Sequence, residues 1–121
     1  MKELKKLIIN NYLKGEEMKL NIQERLTLVN VVPEKANFDT MSIIEGLKLL
    51  LYPSEAEVKK FEIKQDGKTL YWNAEGSKKI DIKLTEGQRN LLLKQLNSLS
   101  ERDDLDFNQY SVLKRFREEK E

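Results

Sequence analysis

The spacing of the apolar residues changes twice along this chain, and that change constrains the fold more than any other feature. Apolar side chains three or four residues apart, as helices require, run from residue 22 to residue 60 and again from residue 85 to residue 116. Between them, three short stretches within residues 61–84 alternate apolar and polar side chains, as half-buried strands do. Helices first, strands in the middle and helices last predict an α+β domain.

The middle of the chain predicts a three-stranded antiparallel meander. The first strand spans residues 61–64 and the second residues 69–72, and Asp66-Gly67 between them can form the tight turn of a hairpin. Residues 80–84 alternate in the same way and form the predicted third strand. Helices would cover the apolar face of this sheet, so Trp72 is expected to be buried there rather than to stack on a ligand.

Capping residues and prolines delimit the predicted helices. Asn21 is a candidate N-cap, although the β-branched residues of 26–32 leave a strand as the alternative for the segment that follows. Ser54 and Thr85 each begin a sequence with the spacing of a reciprocal capping box. The predicted helices run from Asn21 to Pro33, from Asp39 or Thr40 to Pro53, from Ser54 to Lys60, from Thr85 to Leu99 and from Phe107 to Phe116.

Residues 1–17 allow two interpretations. Apolar side chains within residues 2–13 lie at helical spacing and predict an amphipathic first helix. Alternatively, residues 1–17 are a leader outside the native protein, because codons for residues 14–17 can form a ribosome-binding sequence just before Met18. Residues 18–121 would then form the single domain, and we expect residues 1–17 to be dispensable for folding.

Composition restricts the class of function. The 22 basic and 21 acidic residues nearly cancel, so no global field draws the chain to nucleic acid or to an anionic membrane. The absence of histidine and cysteine removes the usual general base, the best protein nucleophile and any disulfide. No apolar run approaches the roughly 20 residues that cross a bilayer. We therefore expect a cytoplasmic protein that is not an enzyme, has no cofactor and does not bind membranes.

One acidic segment resembles the start of a calcium-binding loop. Asp104, Asp106 and Asn108 present oxygen atoms at alternate positions, as such loops do. The pattern then fails, because Gln109 stands where the turn needs glycine and Arg115 stands where a bidentate carboxylate is needed. We expect no metal site here and expect the acidic residues to cap the last helix.

The predicted sheet and the last helix supply candidate contact residues. Four side chains would share the outer face of the meander: Lys64, Tyr71, Lys79 and Lys83. Such a face can bind single-stranded nucleic acid, but one aromatic ring and no arginine make a weak platform, and exposed lysines also keep sheets soluble. Tyr71, together with Tyr110 on the last helix, is instead a candidate aromatic anchor for a protein partner.

Three segments are similar to small uncharacterised proteins of bacterial phages and prophages. They are the run Ile22-Gln23-Glu24-Arg25-Leu26-Thr27-Leu28-Val29-Asn30-Val31-Val32-Pro33-Glu34-Lys35, the run Pro53-Ser54-Glu55-Ala56-Glu57 and the strand end Trp72-Asn73. The resemblance covers about residues 18–116, and those proteins typically begin just before the first run. It implies no activity or ligand, but it implies a phage-type accessory protein.

This context gives the leading functional expectation and two alternatives. Small phage accessory proteins often bind a host protein or a signalling molecule. We therefore expect the chain to bind a host or phage protein, and a homodimer is compatible with this role. The first alternative is a nucleic-acid-binding module that uses the lysine-bearing sheet face. The second is sequestration of a small anionic ligand.

Overall fold

The computed structural model describes residues 16–118, which form an α+β domain. The interpretation of residues 2–13 as a helix lies outside the described residues. In chain order, the strands and helices are β1 (Glu16–Leu20), α1 (Ile22–Val31), α2 (Phe38–Leu51), α3 (Glu55–Lys60), β2 (Lys64–Asp66), β3 (Thr69–Tyr71), a 3-10 turn (Ala74–Ser77), β4 (Ile80–Leu84), α4 (Glu86–Glu101) and α5 (Phe107–Glu118).

Two separate two-stranded sheets stand where the sequence predicted one three-stranded meander. β1 pairs antiparallel with β4, and β2 pairs antiparallel with β3. The prediction of a single sheet was wrong because β4 takes its partner from the start of the domain rather than from the neighbouring hairpin. That partner, β1, includes Glu16 and Glu17, which the sequence had placed in the possible leader.

The predicted hairpin is present, but it lies on the surface. Gly67 in its turn has a φ of 63°, a conformation that favours glycine. Every residue of β2 and β3 is exposed. Trp72, which follows β3, is half buried, and its ring lies against Gly76 in the 3-10 turn, not in the main core. Alternation therefore predicted the turn and β3 correctly, but β2 begins only at Lys64, the last residue of the predicted first strand, because residues 61–62 form a turn after α3.

The core lies between the β1–β4 sheet and the four longer helices. Met18 and Leu20 from β1 pack beside Ile82 and Leu84 from β4, and all four are buried. The helices contribute the remaining buried side chains of this cluster: Leu28, Val29, Val31, Leu47, Leu51, Leu92, Leu96, Val112, Leu113 and Phe116. Removal of these apolar side chains from water is the main stabilising contribution to the domain.

Local capping signals set most helix boundaries. Reciprocal capping boxes form between Asn21 and Glu24, between Ser54 and Glu57, and between Thr85 and Gln88, which confirms the predicted starts of α1, α3 and α4. The strand alternative for residues 26–32 is wrong, because α1 continues to Val31. α2 begins earlier than expected, since the side chain of Asn37 accepts the hydrogen bond from the backbone of Thr40.

A buried arginine holds α1, α2 and α3 together. Arg25 on α1 is 2% exposed, and its Nε donates to the carbonyl of Leu51 at 2.9 Å. Its Nη2 donates to the carbonyl of Tyr52 at 3.2 Å, so the last carbonyls of α2 have partners. The guanidinium also binds both carboxylate oxygens of Glu57 on α3, at 2.8 and 3.0 Å. Arg25 therefore fixes the C-terminal end of α2 relative to the core.

Candidate protein-binding surface

α2 has an apolar inner face and a second apolar face that points away from the core. The buried side chains of the inner face are Ile44, Leu47 and Leu51. On the opposite side, Phe38 is 87% exposed and Leu49 is 82% exposed, and Met41 and Tyr52 are exposed as well. A group of large exposed apolar side chains is uncommon on a soluble protein and often marks an interaction site. This face is therefore the strongest candidate for a contact surface.

These exposed residues form one continuous band. Their positions recur every three or four residues, and on a helix with 3.6 residues per turn such positions lie on one side. The band, called the α2 stripe below, consists of Phe38, Met41, Ser42, Glu45, Lys48, Leu49 and the capping residue Tyr52. It extends along the whole of α2, with a charged pair near its middle and apolar side chains towards both ends.

A shallow groove follows the α2 stripe. Its volume is about 540 Å³, and its lining comes from α2, including Phe38, Glu45, Lys48 and Leu49. An aromatic side chain buries about 150–250 Å² when it is fully covered, so the four apolar side chains together offer on the order of 500 Å² to a partner. That area is at the upper end of what monomeric soluble proteins expose in one patch.

Two of the residues singled out from the sequence lie together on the hairpin. Lys64 in β2 and Tyr71 in β3 are direct cross-strand partners, and Tyr71 is 56% exposed. Together with Glu62, Trp72 and Asn73 they line a hollow of about 230 Å³. Tyr71 is therefore accessible, and Lys64 lies beside it as the alternation predicted.

The other two lysines do not share that face. Lys83 lies in β4, opposite Glu17 of β1, and Lys79 immediately precedes β4. The Nζ of Lys79 is 3.9 Å from a carboxylate oxygen of Glu24, which also accepts a hydrogen bond from Arg115 at 2.8 Å. The expectation of one lysine-bearing sheet face was wrong, because Lys64 and Tyr71 belong to one sheet, Lys83 to the other, and Lys79 to neither.

Tyr110 lies on the surface of α5 next to a second aromatic ring. Phe107 is 77% exposed, and its ring centroid is 5.9 Å from that of Tyr110. The side chain of Gln23 on α1 donates to Asn108 at 3.1 Å and so ties this end of α5 to the domain. The aromatic pair forms a second and smaller apolar surface.

The acidic segment before α5 acts as a helix cap. The backbone N–H of Gln109 donates to Oδ1 of Asp106 at 2.7 Å, and the side chain of Gln109 accepts from the backbone N–H of Asp106 at 2.9 Å. This reciprocal arrangement confirms the expected capping role. Among residues 16–118, no group of three or more carboxylate side chains is arranged to hold a metal ion.

Within the described part of the chain, no helix has both the length and the apolar character needed to cross a membrane. No protein-family model matches the sequence, and neither a curated protein nor a solved structure matches it. The resemblance to phage and prophage proteins therefore stays a prediction. The function of the chain is therefore inferred from the surfaces described above.

Proposed function

We propose that this protein acts by binding another protein molecule and that the α2 stripe is its principal contact surface. The observation that supports this most directly is the exposure of Phe38 and Leu49 on a helix whose opposite face is anchored in the core. Large apolar and aromatic side chains at the centre of an interface contribute most of its binding free energy. The flanking polar side chains, such as Ser42 and Lys48, are suited to the rim of such an interface.

The attachment of α2 favours binding because the helix needs no ordering when a partner arrives. Its first turn is capped by Asn37, and its last carbonyls are held by Arg25. Its inner side chains are fixed in the core. A surface that is already ordered loses less conformational entropy on binding, so more of the gain from apolar burial appears as affinity.

The resemblance of residues 18–116 to phage proteins supports a host or phage protein as the cellular partner, as part of this same proposal. Tyr71 on the hairpin and Tyr110 beside Phe107 on α5 are exposed aromatic side chains that can serve as additional contacts. The proposal involves no catalytic step, which agrees with the lack of histidine and cysteine in the chain.

The two alternative functions have less support. For nucleic acid, Lys64 and Lys83 of the predicted basic face lie in different sheets, and Lys79 already faces Glu24. For a small anion, the polar hollow of about 390 Å³ between α4 and α5 contains Arg117, but this arginine donates to Asn97 at 2.7 Å and Glu101 also lines the hollow. A carboxylate beside the only described cation of that hollow disfavours an anionic ligand.

A capture experiment with matched variants tests the proposal. Tagged wild-type protein, Phe38→Ser and Phe107→Ser are each immobilised and exposed to a nuclease-treated bacterial lysate and, separately, to untagged copies of the chain. Both substituted residues are exposed aromatics at the first position of a helix, so the two variants differ only in the surface they alter. We expect Phe38→Ser to reduce retained protein by about tenfold or more, a hot-spot effect, and Phe107→Ser to retain most of it.

The proposal is wrong if Phe38→Ser retains as much protein as the wild type in both arms. Retention that occurs with an untreated lysate but not with the nuclease-treated one, or that falls steeply between low and moderate salt, would instead support the nucleic-acid alternative, because phosphate contacts depend strongly on ionic strength. Binding through the α2 stripe should change little over the same range, since its central contacts are apolar.

A further inference from the structure

We infer that the occupant of the α2 stripe is a second copy of this chain, packed antiparallel about a two-fold axis that passes near Glu45. This inference rests on the proposed function and names the partner at the same surface. It follows from the arrangement of residues along the stripe, from its charges and from its area.

The apolar residues of the α2 stripe are placed symmetrically about Glu45. Phe38 and Tyr52 lie at equal distances along the helix on either side of it, and so do Met41 and Leu49. A two-fold axis perpendicular to α2 at this point brings Phe38 opposite Tyr52 of the second copy and Met41 opposite Leu49 of the second copy. Each exposed apolar side chain then meets another apolar side chain, as a self-complementary dimer interface requires.

The charges of the stripe select the antiparallel direction. In a parallel pairing, Glu45 would lie against Glu45 of the second copy, and Lys48 against Lys48, along the full interface. Both pairings bring the two Glu45 side chains together, and both place Lys48 of each copy within one helical turn of Glu45 of the other, so the symmetry forms this opposite-charge contact twice. Only the antiparallel pairing places Lys48 opposite Ser42 of the second copy and thereby separates the two lysines. Compensated charges at the centre and apolar contacts on both sides therefore favour the antiparallel dimer.

Neighbouring elements leave room for this approach. Among the described residues, the main contacts of α2 are to α1 and α4, and Leu47 and Leu51 of its inner face belong to the core. The α2 stripe lies on the opposite side. A helix of a second copy can therefore reach it without any rearrangement of the core, which is the usual behaviour of preformed interfaces.

The available area indicates a dimer of moderate affinity. If each copy contributes on the order of 500 Å² from the four apolar side chains, the pair buries on the order of 1,000 Å² before the polar rim is included, which is near the lower limit of specific interfaces. We therefore expect association in the micromolar range, with monomer and dimer both present at ordinary laboratory concentrations.

Sedimentation equilibrium of the full chain tests the inference. From about 1 to about 300 µM protein, the range in which a micromolar dissociation constant is measurable, we expect the average mass to rise from 14.3 kDa towards twice that value. Phe38→Ser and Leu49→Glu should each raise the dissociation constant at least about tenfold. Leu70→Ser, a control at an exposed apolar position of β3 outside the α2 stripe, should leave it unchanged. Far-ultraviolet circular dichroism confirms that each variant is folded.

A charge-reversal pair distinguishes a second copy from any other occupant. Glu45→Lys leaves four lysines and no compensating carboxylate at the centre of the dimer, and Lys48→Glu leaves four glutamates, so each variant alone should dimerise more weakly than the wild type. When the two variants are mixed, the introduced lysine of one chain can meet the introduced glutamate of the other, and we expect the mixture to dimerise at least as well as the wild type. Only direct contact between two α2 helices predicts this recovery.

Three results would overturn the inference. The first is a mass of 14.3 kDa at every concentration, whether the stripe is then open or covered by residues 1–15 of the same chain. The second is a dimer that Phe38→Ser leaves intact, and the third is a mixture of charge variants that associates no better than either alone. If the wild type is a monomer but Phe38→Ser loses a captured lysate protein, the proposed function stands and the second copy is excluded.

Discussion

Arg25 shows how a charged residue can become part of an apolar interior. The helical spacing of Ile22, Leu26 and Val29 predicts that these side chains form the inner face of α1. In the structure, Leu26 is only half buried and Arg25 is fully covered. Long arginine side chains pack their aliphatic stems while the guanidinium keeps its hydrogen bonds, here with two backbone carbonyls and with Glu57. Periodicity could not predict this position, because the partners that compensate the charge come from other elements.

Arg25→Met should therefore destabilise the domain strongly. The substitution keeps the apolar stem but leaves the carbonyls of Leu51 and Tyr52 and the carboxylate of Glu57 without their donors, so we expect a loss of about 3 kcal/mol in the free energy of unfolding. Urea denaturation followed by circular dichroism measures it. Arg117→Met, at an exposed position of α5, is the control and should cost little. A loss below about 1 kcal/mol for Arg25→Met would mean that water replaces the missing donors.

The pair of Arg25 and Glu57 also predicts a pH dependence. The hydrogen bonds from Arg25 lower the pKa of the Glu57 carboxyl below its ordinary value of 4.5, although partial burial acts in the opposite direction. A carboxyl whose pKa is lower in the folded state stabilises the fold above its unfolded pKa, and this contribution disappears as the pH falls through the folded pKa. The stabilisation by Glu57 should thus be complete at pH 7 and diminish below about pH 4.5.

Glu57→Gln isolates this contribution. The urea midpoint of the variant should be lower than that of the wild type at pH 7, and the difference should be smaller at an acidic pH below about 4.5, as the wild-type carboxyl becomes protonated. Glu55→Gln, an exposed change on the same helix, is the control and should leave the midpoint nearly unchanged. An equal difference at both pH values would show that the effect comes from the loss of one of the two oxygens that accept from Arg25 and not from ionisation.

Gly76 provides a test of the local packing of Trp72. A Cβ added at Gly76 would lie 2.9 Å from ring atom Cδ1 of Trp72, so Gly76→Ala must displace the ring or the 3-10 turn. We expect a destabilisation of about 1–3 kcal/mol and a shift of the emission of this single tryptophan towards longer wavelength. Ser77→Ala, in the same turn, is the control. Unchanged emission and stability in Gly76→Ala would contradict the contact.

At the scale of elements, local chemistry explains what the sequence could predict. Capping boxes join residues three positions apart, and the starts of α1, α3 and α4 were therefore predictable from the sequence alone. The pairing of β1 with β4 was not, since it joins Leu20 to Ile80, two positions far apart in the chain. Nothing within residues 16–20 specifies its distant partner.

The α2 stripe was missed for a related reason. With Asp39 or Thr40 taken as the N-cap, Phe38 fell outside the predicted helix, and the band of exposed residues lost its first member. The true cap is Asn37, which brings Phe38 into the first turn. The helical spacing of Ile44, Leu47 and Leu51 predicts the inner face of α2. Leu49 is not part of this series, so its exposed position was not considered. The exposed aromatics Tyr71 and Tyr110, by contrast, were correctly placed on the surface.

At the scale of the whole molecule, long-range packing and not sheet formation organises the domain. The two sheets are small, and only β1 and β4 contribute to the core, where α1, α2, α4 and α5 surround them. A single apolar cluster therefore unites residues from Met18 to Phe116. This arrangement agrees with the predicted α+β class, although the strands serve as one side of a mainly helical core.

The dispensability of residues 1–17 remains a prediction of this whole-molecule architecture. A chain that starts at Met18 keeps Met18 and Leu20, the buried residues of β1, and loses the pairing of Glu16 and Glu17 with β4. We expect thermal unfolding of this chain to stay cooperative, with a modestly lower midpoint. Leu20→Ser in the full chain, which removes a buried side chain, should cost more, about 3 kcal/mol. Loss of the cooperative transition on truncation would show that the first residues belong to the folding unit.

The surface position of the β2–β3 hairpin makes it a practical site for attaching a reporter. Its base is closed by the backbone hydrogen bond from Asn73 to Phe61 at 2.8 Å and by the side-chain hydrogen bond from Asn73 to Lys60 at 3.0 Å. Its turn at Gly67 has no neighbour within 4 Å of an added Cβ. A fluorophore or epitope inserted at this turn can extend into solvent while the helices stay packed, and it would leave α2 unlabelled and accessible.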